Sequence, residues 1–148
     1  MNRQFVFNKA VYNILKQNAR AVGKTGSCVY KDGERRCAVG WLLTEEEALV
    51  TQTMPSMTAV KLLQHLPAVA DRLQVDMNEE YKGSDREFLS RLQALHDDMT
   101  AFDRDAFRQR AYGFSQAMGF GAGWLLETGI SVYFDGEDHP PLNKVFEA

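Results

Sequence analysis

Hydrophobic positions recur at three- and four-residue intervals along most of the chain, which is the spacing that one face of an α-helix requires. The first such stripe consists of Val11, Ile14, Leu15 and Val22. Asn8 is a favoured N-cap residue, and Gly23 can adopt the left-handed conformation that ends a helix. We therefore expect a first helix over about residues 9–22.

Start and stop signals define the later helices. Thr44-Glu-Glu-Glu47 and Ser84-Asp-Arg-Glu87 have the capping-box pattern, in which a hydroxyl and a Glu side chain bond each other's backbone N–H groups. Pro67 is favoured in the first turn of a helix, while Asp103 and Gly119 fit the cap and the stop of another. These signals predict about five helices in all, the longest of the later ones over about residues 85–99 and 103–118.

The segment between Cys28 and Cys37 is typical of a β-hairpin instead. Asp32-Gly33 is a preferred pair for a two-residue type I′ turn, because both central residues must take a positive φ. With this turn, the pairs across the hairpin are Lys31/Glu34, Tyr30/Arg35, Val29/Arg36 and Cys28/Cys37. The two cysteines then face each other at a site where side chains approach closely.

A second strand-like segment lies near the end of the chain. Residues 130–134 alternate apolar and polar positions, and this segment can pair with the hairpin as a third strand, since an isolated hairpin is only marginally stable. We therefore predict an α+β fold that is mainly helical, with about five helices packed against a small antiparallel β-hairpin or three-stranded sheet. A length of 148 residues suits a single domain over residues 1–148.

Charge is distributed unevenly along the chain. Residues 1–43 carry eight basic and two acidic side chains, whereas residues 44–148 carry nine basic and eighteen acidic ones. A basic segment can attract nucleic acid or an acidic protein, but an acidic remainder weakens long-range attraction to phosphates. The opposite charges can also lie against each other, within a monomer or across a homodimer.

The sequence shows neither a membrane span nor a secretory leader. No apolar run approaches the 18 or more residues that a transmembrane helix needs, and the N-terminal segment lacks the apolar core of a signal peptide. These observations favour a cytoplasmic protein without a membrane partner.

The cysteine pair, Cys28 and Cys37, is the first candidate for chemistry. In a reducing compartment, such thiols can be small buried residues, a labile disulfide, metal ligands or a nucleophile. The eight residues between them do not match the spacing of a structural zinc site, so neither a metal nor a cofactor is expected. As a nucleophile, Cys37 would use His96 as its base and Asp97 to orient that base.

The hairpin is also a candidate binding surface. Tyr and Arg are the residue types most favoured as interface anchors, and Tyr30 and Arg35 pair directly in the predicted register. Together with Lys31 and Arg36, they would suit an acidic protein groove or a nucleic-acid backbone.

Two motifs resemble a set of small uncharacterised phage, prophage and bacterial proteins. The first is Cys28-x-Tyr30-x-x-Gly33-x-x-x-Cys37-Ala-Val-Gly40, and the second is Leu92-Gln-Ala-Leu-His96-Asp97. The resemblance covers about residues 8–118. It implies an origin in a phage or another mobile element, hence a host-cytoplasmic location, and no particular reaction.

These features lead to three functional expectations. The first is a non-enzymatic, phage-type accessory protein that binds a host or phage protein and thereby inhibits a host defence system. The second is a cysteine-dependent hydrolase or transferase that uses Cys37 and His96. The third is nucleic-acid binding through the basic residues 1–43.

Overall fold

The computed structural model describes residues 1–21, 29–55, 57–99 and 101–126. Six α-helices and a two-stranded antiparallel sheet form this part of the chain, which confirms the mainly helical α+β class. The helices are α1 (Arg3–Gln17), α2 (Glu45–Thr51), α3 (Ala59–His65), α4 (Pro67–Leu73), α5 (Asp85–Asp97) and α6 (Arg104–Met118). The strands are β1 (Lys31–Asp32) and β2 (Arg35–Arg36), and two short 3₁₀ helices cover Val39–Leu42 and Gly123–Leu126. The predicted third strand at residues 130–134 and Gly23 lie outside the described residues.

Helix α1 begins and ends earlier than its sequence pattern predicts. Asn2 is its N-cap, and the Asn2 side chain accepts a hydrogen bond from the N–H of Phe5. Asn8 is therefore not a cap but a buried residue within the helix, where its Oδ1 accepts from Gln4 Nε2 at 3.0 Å. Asn18, with a φ of 53°, supplies the left-handed stop. The predicted bounds of residues 9–22 were wrong because asparagine is favourable at both ends of a helix. Asn2 rather than Asn8 is the N-cap, and Asn18 ends the helix.

The caps of the other helices agree with their sequence signals. Thr44 and Glu47 form the complete capping box at the start of α2. Pro67 occupies the first turn of α4, and Ser84 caps α5 by accepting from the N–H of Glu87. Asp103 caps α6, which ends at Gly119 with a φ of 77°. Local hydrogen bonding explains the success at Thr44, Ser84 and Asp103, because each side chain accepts from a backbone N–H three residues further on.

Aromatic side chains join the three longest helices. Phe7 of α1 and Phe88 of α5 both stack against Phe114 of α6, at ring-centroid distances of 6.0 and 5.9 Å. These rings belong to one continuous core that also includes Leu62 of α3 and Val69 of α4. The core fixes α5, and therefore its C-terminal turn, relative to the hairpin.

The hairpin register differs from the predicted one. Lys31 lies opposite Arg36 and Asp32 lies opposite Arg35, so the turn residues are Gly33 and Glu34 rather than Asp32 and Gly33. Gly33 has a φ of 60°, and Glu34 is not among the described residues with positive φ. A positive φ at the first turn position alone is the pattern of a type II′ turn, which also favours Gly there. The Asp32-Gly33 pair therefore predicted the wrong turn type.

Contacts outside the turn fix this register. The N–H of Cys37 donates to the carbonyl of Tyr30 at 3.3 Å, and the N–H of Arg36 donates to Gln17 Oε1 at 2.7 Å. The predicted pairing of Tyr30 with Arg35 is wrong, because the backbone partner of Tyr30 is Cys37. The register that placed Cys28 opposite Cys37 is wrong for the same reason, since Tyr30 occupies that position. Cys28 itself lies outside the described residues, so a close approach of the two thiols stays a prediction.

None of the described helices combines the length and the apolar composition that crossing a membrane would require.

Candidate functional site

Cys37 lies between β2 and the first 3₁₀ helix, and its side chain is completely buried. Its Sγ accepts a hydrogen bond from the N–H of Gly40 at 3.4 Å, and the side chain of Gln93 lies nearby. The tight turn over Val39–Leu42 directs the Gly40 N–H back toward the sulfur. This hydrogen bond holds the thiol in place within the core.

Gln93, in the middle of α5, lies between this thiol and the rest of a partly buried polar network. Its Oε1 accepts a hydrogen bond from the N–H of Val39 at 2.9 Å, and its Nε2 donates to Asp97 Oδ2 at 2.7 Å. Gln93 and Asp97 are four residues apart and so lie on one face of α5. The network thus runs from Cys37 through Gln93 to Asp97.

His96 joins the same network from the buried face of α5. Its ring is completely buried, and its Nδ1 lies 3.1 Å from Asp97 Oδ1. The ring packs near Phe102 and Phe107, at centroid distances of 6.2 and 6.4 Å. Within the described part of the chain, the Nε2 of His96 has no hydrogen-bond partner.

The structure therefore places Cys37, His96 and Asp97 in one network. Within the described residues, no direct hydrogen bond joins the thiol to the imidazole. Gln93 and Asp97 lie between them.

The electrostatics of Cys37 oppose a nucleophilic role. Burial, followed by the negative charge of Asp97, raises the pKa of Cys37 to about 12. A cysteine nucleophile needs the opposite conditions, namely a lowered pKa and access to substrate. The arrangement instead stabilises a protonated, inaccessible thiol.

Three of the four hairpin residues that were candidates for binding make internal contacts. Tyr30 is only 8% exposed, and its hydroxyl donates to the carbonyl of Met57 at 2.9 Å. The expectation of an exposed Tyr30 is therefore wrong, because its ring fills space between the hairpin and α3. Burial, with the acidic groups of Cys37 and Asp97, raises the pKa of Tyr30.

Lys31 and Arg36 are held by the helix that follows the hairpin. Both side chains form ion pairs with Glu45, at the start of α2. Arg36 also donates to the carbonyl of Leu43 at 3.1 Å, and its guanidinium lies over the ring of Trp41. Of the four predicted binding residues, Arg35 alone is fully exposed.

Tyr30 also lines a groove of about 740 Å³ between α3, α5 and the segment before β1; we call it the α3–α5 groove. Its apolar and aromatic walls include Tyr30, Met57, Val60 and Tyr81. Asp97 and Asp98 line its polar end, and none of its described lining residues is basic. This volume lies within the range of small-molecule and peptide-anchor pockets.

Sequence reasoning identified Asp97 but missed the groove. Tyr81 lies between α4 and α5, and it is 48% exposed beside the groove. The four-residue spacing of Gln93 and Asp97 was a visible signal for their hydrogen bond. Nothing in the sequence indicated that α3 would face this end of α5.

Within the described residues, no group of three or more His, Cys, Asp or Glu side chains is arranged to hold a metal ion. Comparisons with protein families, with curated proteins and with solved structures give no match for this chain. The resemblance to phage proteins consequently stays a prediction.

Proposed function

We propose that the chain is a non-enzymatic protein-binding module whose α3–α5 groove holds a segment of a partner protein. A Lys or Arg side chain of that segment would lie against Asp97 and Asp98. The observation that carries this proposal is the charge of the groove, which has two carboxylates and no basic side chain among its described lining residues.

The position of the two carboxylates strengthens the argument. Asp97 is the last residue of α5 and Asp98 is its C-cap. The C-terminal end of a helix carries partial negative charge, so acidic side chains there are unfavourable by themselves. A cationic group bound at this end would relieve that repulsion, and it would be drawn to both the carboxylates and the helix terminus.

The walls of the groove suit the apolar part of such a segment. Met57 and Val60 are half-buried and Tyr81 is exposed. Methionine adapts its shape to different partners, and tyrosine is among the residues that contribute most to protein interfaces. These side chains can contact the aliphatic stem of a Lys or Arg while its charged end meets Asp98.

The partner itself is a matter of prediction. A phage-type accessory role, with inhibition of a host defence system, agrees with a protein-binding module. The alternative of cysteine-dependent catalysis is not favoured, since Cys37 is buried and its pKa is raised.

The proposal can be tested by NMR titration of the full chain with two tripeptides. One is acetyl-Leu-Arg-Leu-amide, and the other replaces Arg by the neutral, nearly isosteric citrulline. We expect the Arg peptide to shift the amide signals of Tyr81, Asp97 and Asp98, and the citrulline peptide to bind more weakly. Equal binding of both peptides, or shifts elsewhere on the surface, would contradict the proposal.

A pair of charge-matched variants provides the control. Asp98→Asn removes one carboxylate from the groove, whereas Asp71→Asn removes an exposed carboxylate from α4. Since an exposed ion pair contributes about 0.2–1 kcal/mol, Asp98→Asn should weaken binding of the Arg peptide by about 1.5- to 5-fold. Asp71→Asn should leave it unchanged.

A further inference from the structure

A second groove, of about 520 Å³, lies between α1, the hairpin and the first 3₁₀ helix, which carries Trp41; we call it the α1 groove. Helix α1, the hairpin and the first 3₁₀ helix each contribute to its lining, which consists of Asn13, Lys16, Gln17, Glu34, Arg35 and Trp41. Its chemistry is opposite to that of the α3–α5 groove, because cationic side chains and an indole ring converge here.

Lys16 and Arg35 are the two cations of this groove. In the described part of the chain, neither the Lys16 ammonium nor the Arg35 guanidinium has a hydrogen-bond or ion-pair partner. Both residues are exposed. Lys31 and Arg36 on the same hairpin differ from them, since Glu45 pairs with both. Glu34 is the one acidic residue in the described lining, and it offsets one of the two free charges.

Positive charge continues beyond one end of the groove. Lys9 lies one helical turn before Asn13, on the same face of α1. Burial, together with the positive charges of Arg72 and Arg36, lowers the pKa of Lys9. Because Arg36 is paired with Glu45 and Arg72 with Glu47, Lys9 is the group that adds charge at this end of the groove, and a bound anion would stabilise its charged form.

Trp41 supplies an aromatic ring to the lining of the groove. The ring is partly buried, and the Arg36 guanidinium lies over one of its faces at 5.4 Å from the centroid, so a base would stack on the other face. Cationic side chains that follow a backbone, combined with an aromatic ring on which bases stack, are the usual elements of single-strand recognition.

We propose that the α1 groove binds single-stranded nucleic acid, with a base stacked on Trp41 and backbone phosphates beside Lys16, Arg35 and Lys9. Lys9 and Lys16 are about 10 Å apart along the helix axis, so they would contact phosphates of different nucleotides. An acidic peptide would use the same cations but would have no comparable need for the indole ring. This site is separate from the α3–α5 groove, so it does not depend on the function proposed there.

The test uses fluorescence anisotropy of the full chain with a fluorescein-labelled twelve-residue oligothymidylate at low salt. A second probe is an oligonucleotide of the same length with abasic sites in place of the bases. We expect the oligothymidylate to bind at least about fivefold more tightly, because base stacking on an aromatic ring contributes strongly. Equal binding of both probes would overturn the role of Trp41, and no binding of either would overturn the proposal.

Matched variants separate this groove from general electrostatic attraction. Lys16→Gln with Arg35→Gln removes two charges from the groove, and Lys61→Gln with Lys82→Gln removes two exposed charges elsewhere. For single strands, the first variant should reduce the slope of log affinity against log salt by about 1.4, while the second should leave it nearly unchanged. Equal losses in both variants would contradict the proposal, since binding would then follow net charge alone.

Trp41→Phe tests the contribution of the indole ring to binding and keeps an aromatic side chain at this position. It should weaken oligothymidylate binding while leaving the weaker abasic binding unchanged. The melting temperature of each variant confirms that its fold is intact. A Trp41→Phe variant that loses affinity for both probes equally would argue against stacking.

Discussion

The side chain of Gln93 accepts a hydrogen bond from the backbone N–H of Val39 at 2.9 Å, which joins the middle of α5 to the turn that follows the hairpin. The same side chain donates to Asp97 and contacts the thiol of Cys37. The amide thus gives the buried Val39 N–H its partner and connects the turn after the hairpin to α5.

Replacing this amide by a hydrocarbon should destabilise the protein. We expect Gln93→Leu to lower the free energy of unfolding by about 1–3 kcal/mol, because the Val39 N–H would lose its partner in a buried environment. Urea denaturation measures this change. The control is Gln116→Leu on the exposed side of α6, which should change stability by less than about 0.5 kcal/mol. Similar losses in both variants would show that Gln93 does not connect these elements.

Gly40 packs against the backbone of Tyr30, and a Cβ at residue 40 would clash with the Tyr30 carbonyl. Gly40→Ala should therefore destabilise the protein by about 1–3 kcal/mol, since backbone atoms must move to accommodate the methyl group. Gly113→Ala is the matched control, because a Cβ at that exposed position in α6 meets nothing within 4 Å. Alanine is the better helix former, so Gly113→Ala should stabilise by about 1 kcal/mol. If thermal unfolding showed that both variants shift the melting temperature in the same direction, this packing would be contradicted.

The buried thiol of Cys37 should make stability fall at alkaline pH. Its pKa is raised from about 9 to about 12, so above pH 9 the unfolded chain loses this proton while the folded chain keeps it. The unfolded state then binds fewer protons, and stability decreases as pH rises from about 9 to about 12. For this one group, the slope should be roughly 1 kcal/mol per pH unit.

Cys37→Ala isolates that contribution from the other groups that titrate in the same range. Urea denaturation of both proteins at pH 7, 8, 9 and 10, under reducing conditions, gives the difference in stability at each pH. This difference should be constant up to about pH 8 and should then change in favour of the variant. Parallel stability curves up to pH 10 would mean that the folded thiol ionises as readily as the unfolded one.

Cys37 should also resist alkylation in the native protein. A fully buried thiol reacts with iodoacetamide only when the chain opens, so labelling at pH 8 should be at least about a hundredfold slower than in urea. Mass spectrometry of the digested protein distinguishes the peptide that contains Cys37 from the peptide that contains Cys28. Rapid labelling of native Cys37 would instead revive a nucleophilic role with His96 as the base.

The candidate site was only partly predictable from the sequence. His96 follows Leu92 by four residues, the spacing of one helix face, and both side chains are buried in the structure. This spacing could not show that Gln93 reaches the backbone of Val39 and the neighbourhood of Cys37. These contacts depend on the side chain of a helix meeting a turn that is distant in sequence. Tyr30 was assigned to an exposed surface for the same reason, since its burial requires α3 to pack beside the hairpin.

The sequence by itself determined the helical segments and most of their ends. Caps such as Thr44 with Glu47 form among neighbouring residues, and their energies depend little on the rest of the chain. Tertiary structure decided the hairpin register, where Asp32-Gly33 and Gly33-Glu34 were both acceptable turns. In the observed register, with Gly33-Glu34 in the turn, the N–H of Cys37 donates to the carbonyl of Tyr30 and the N–H of Arg36 donates to the side chain of Gln17. Neither hydrogen bond could be predicted from the turn residues alone. The charges of the two grooves have the same origin, because each groove collects side chains from segments that only packing brings together.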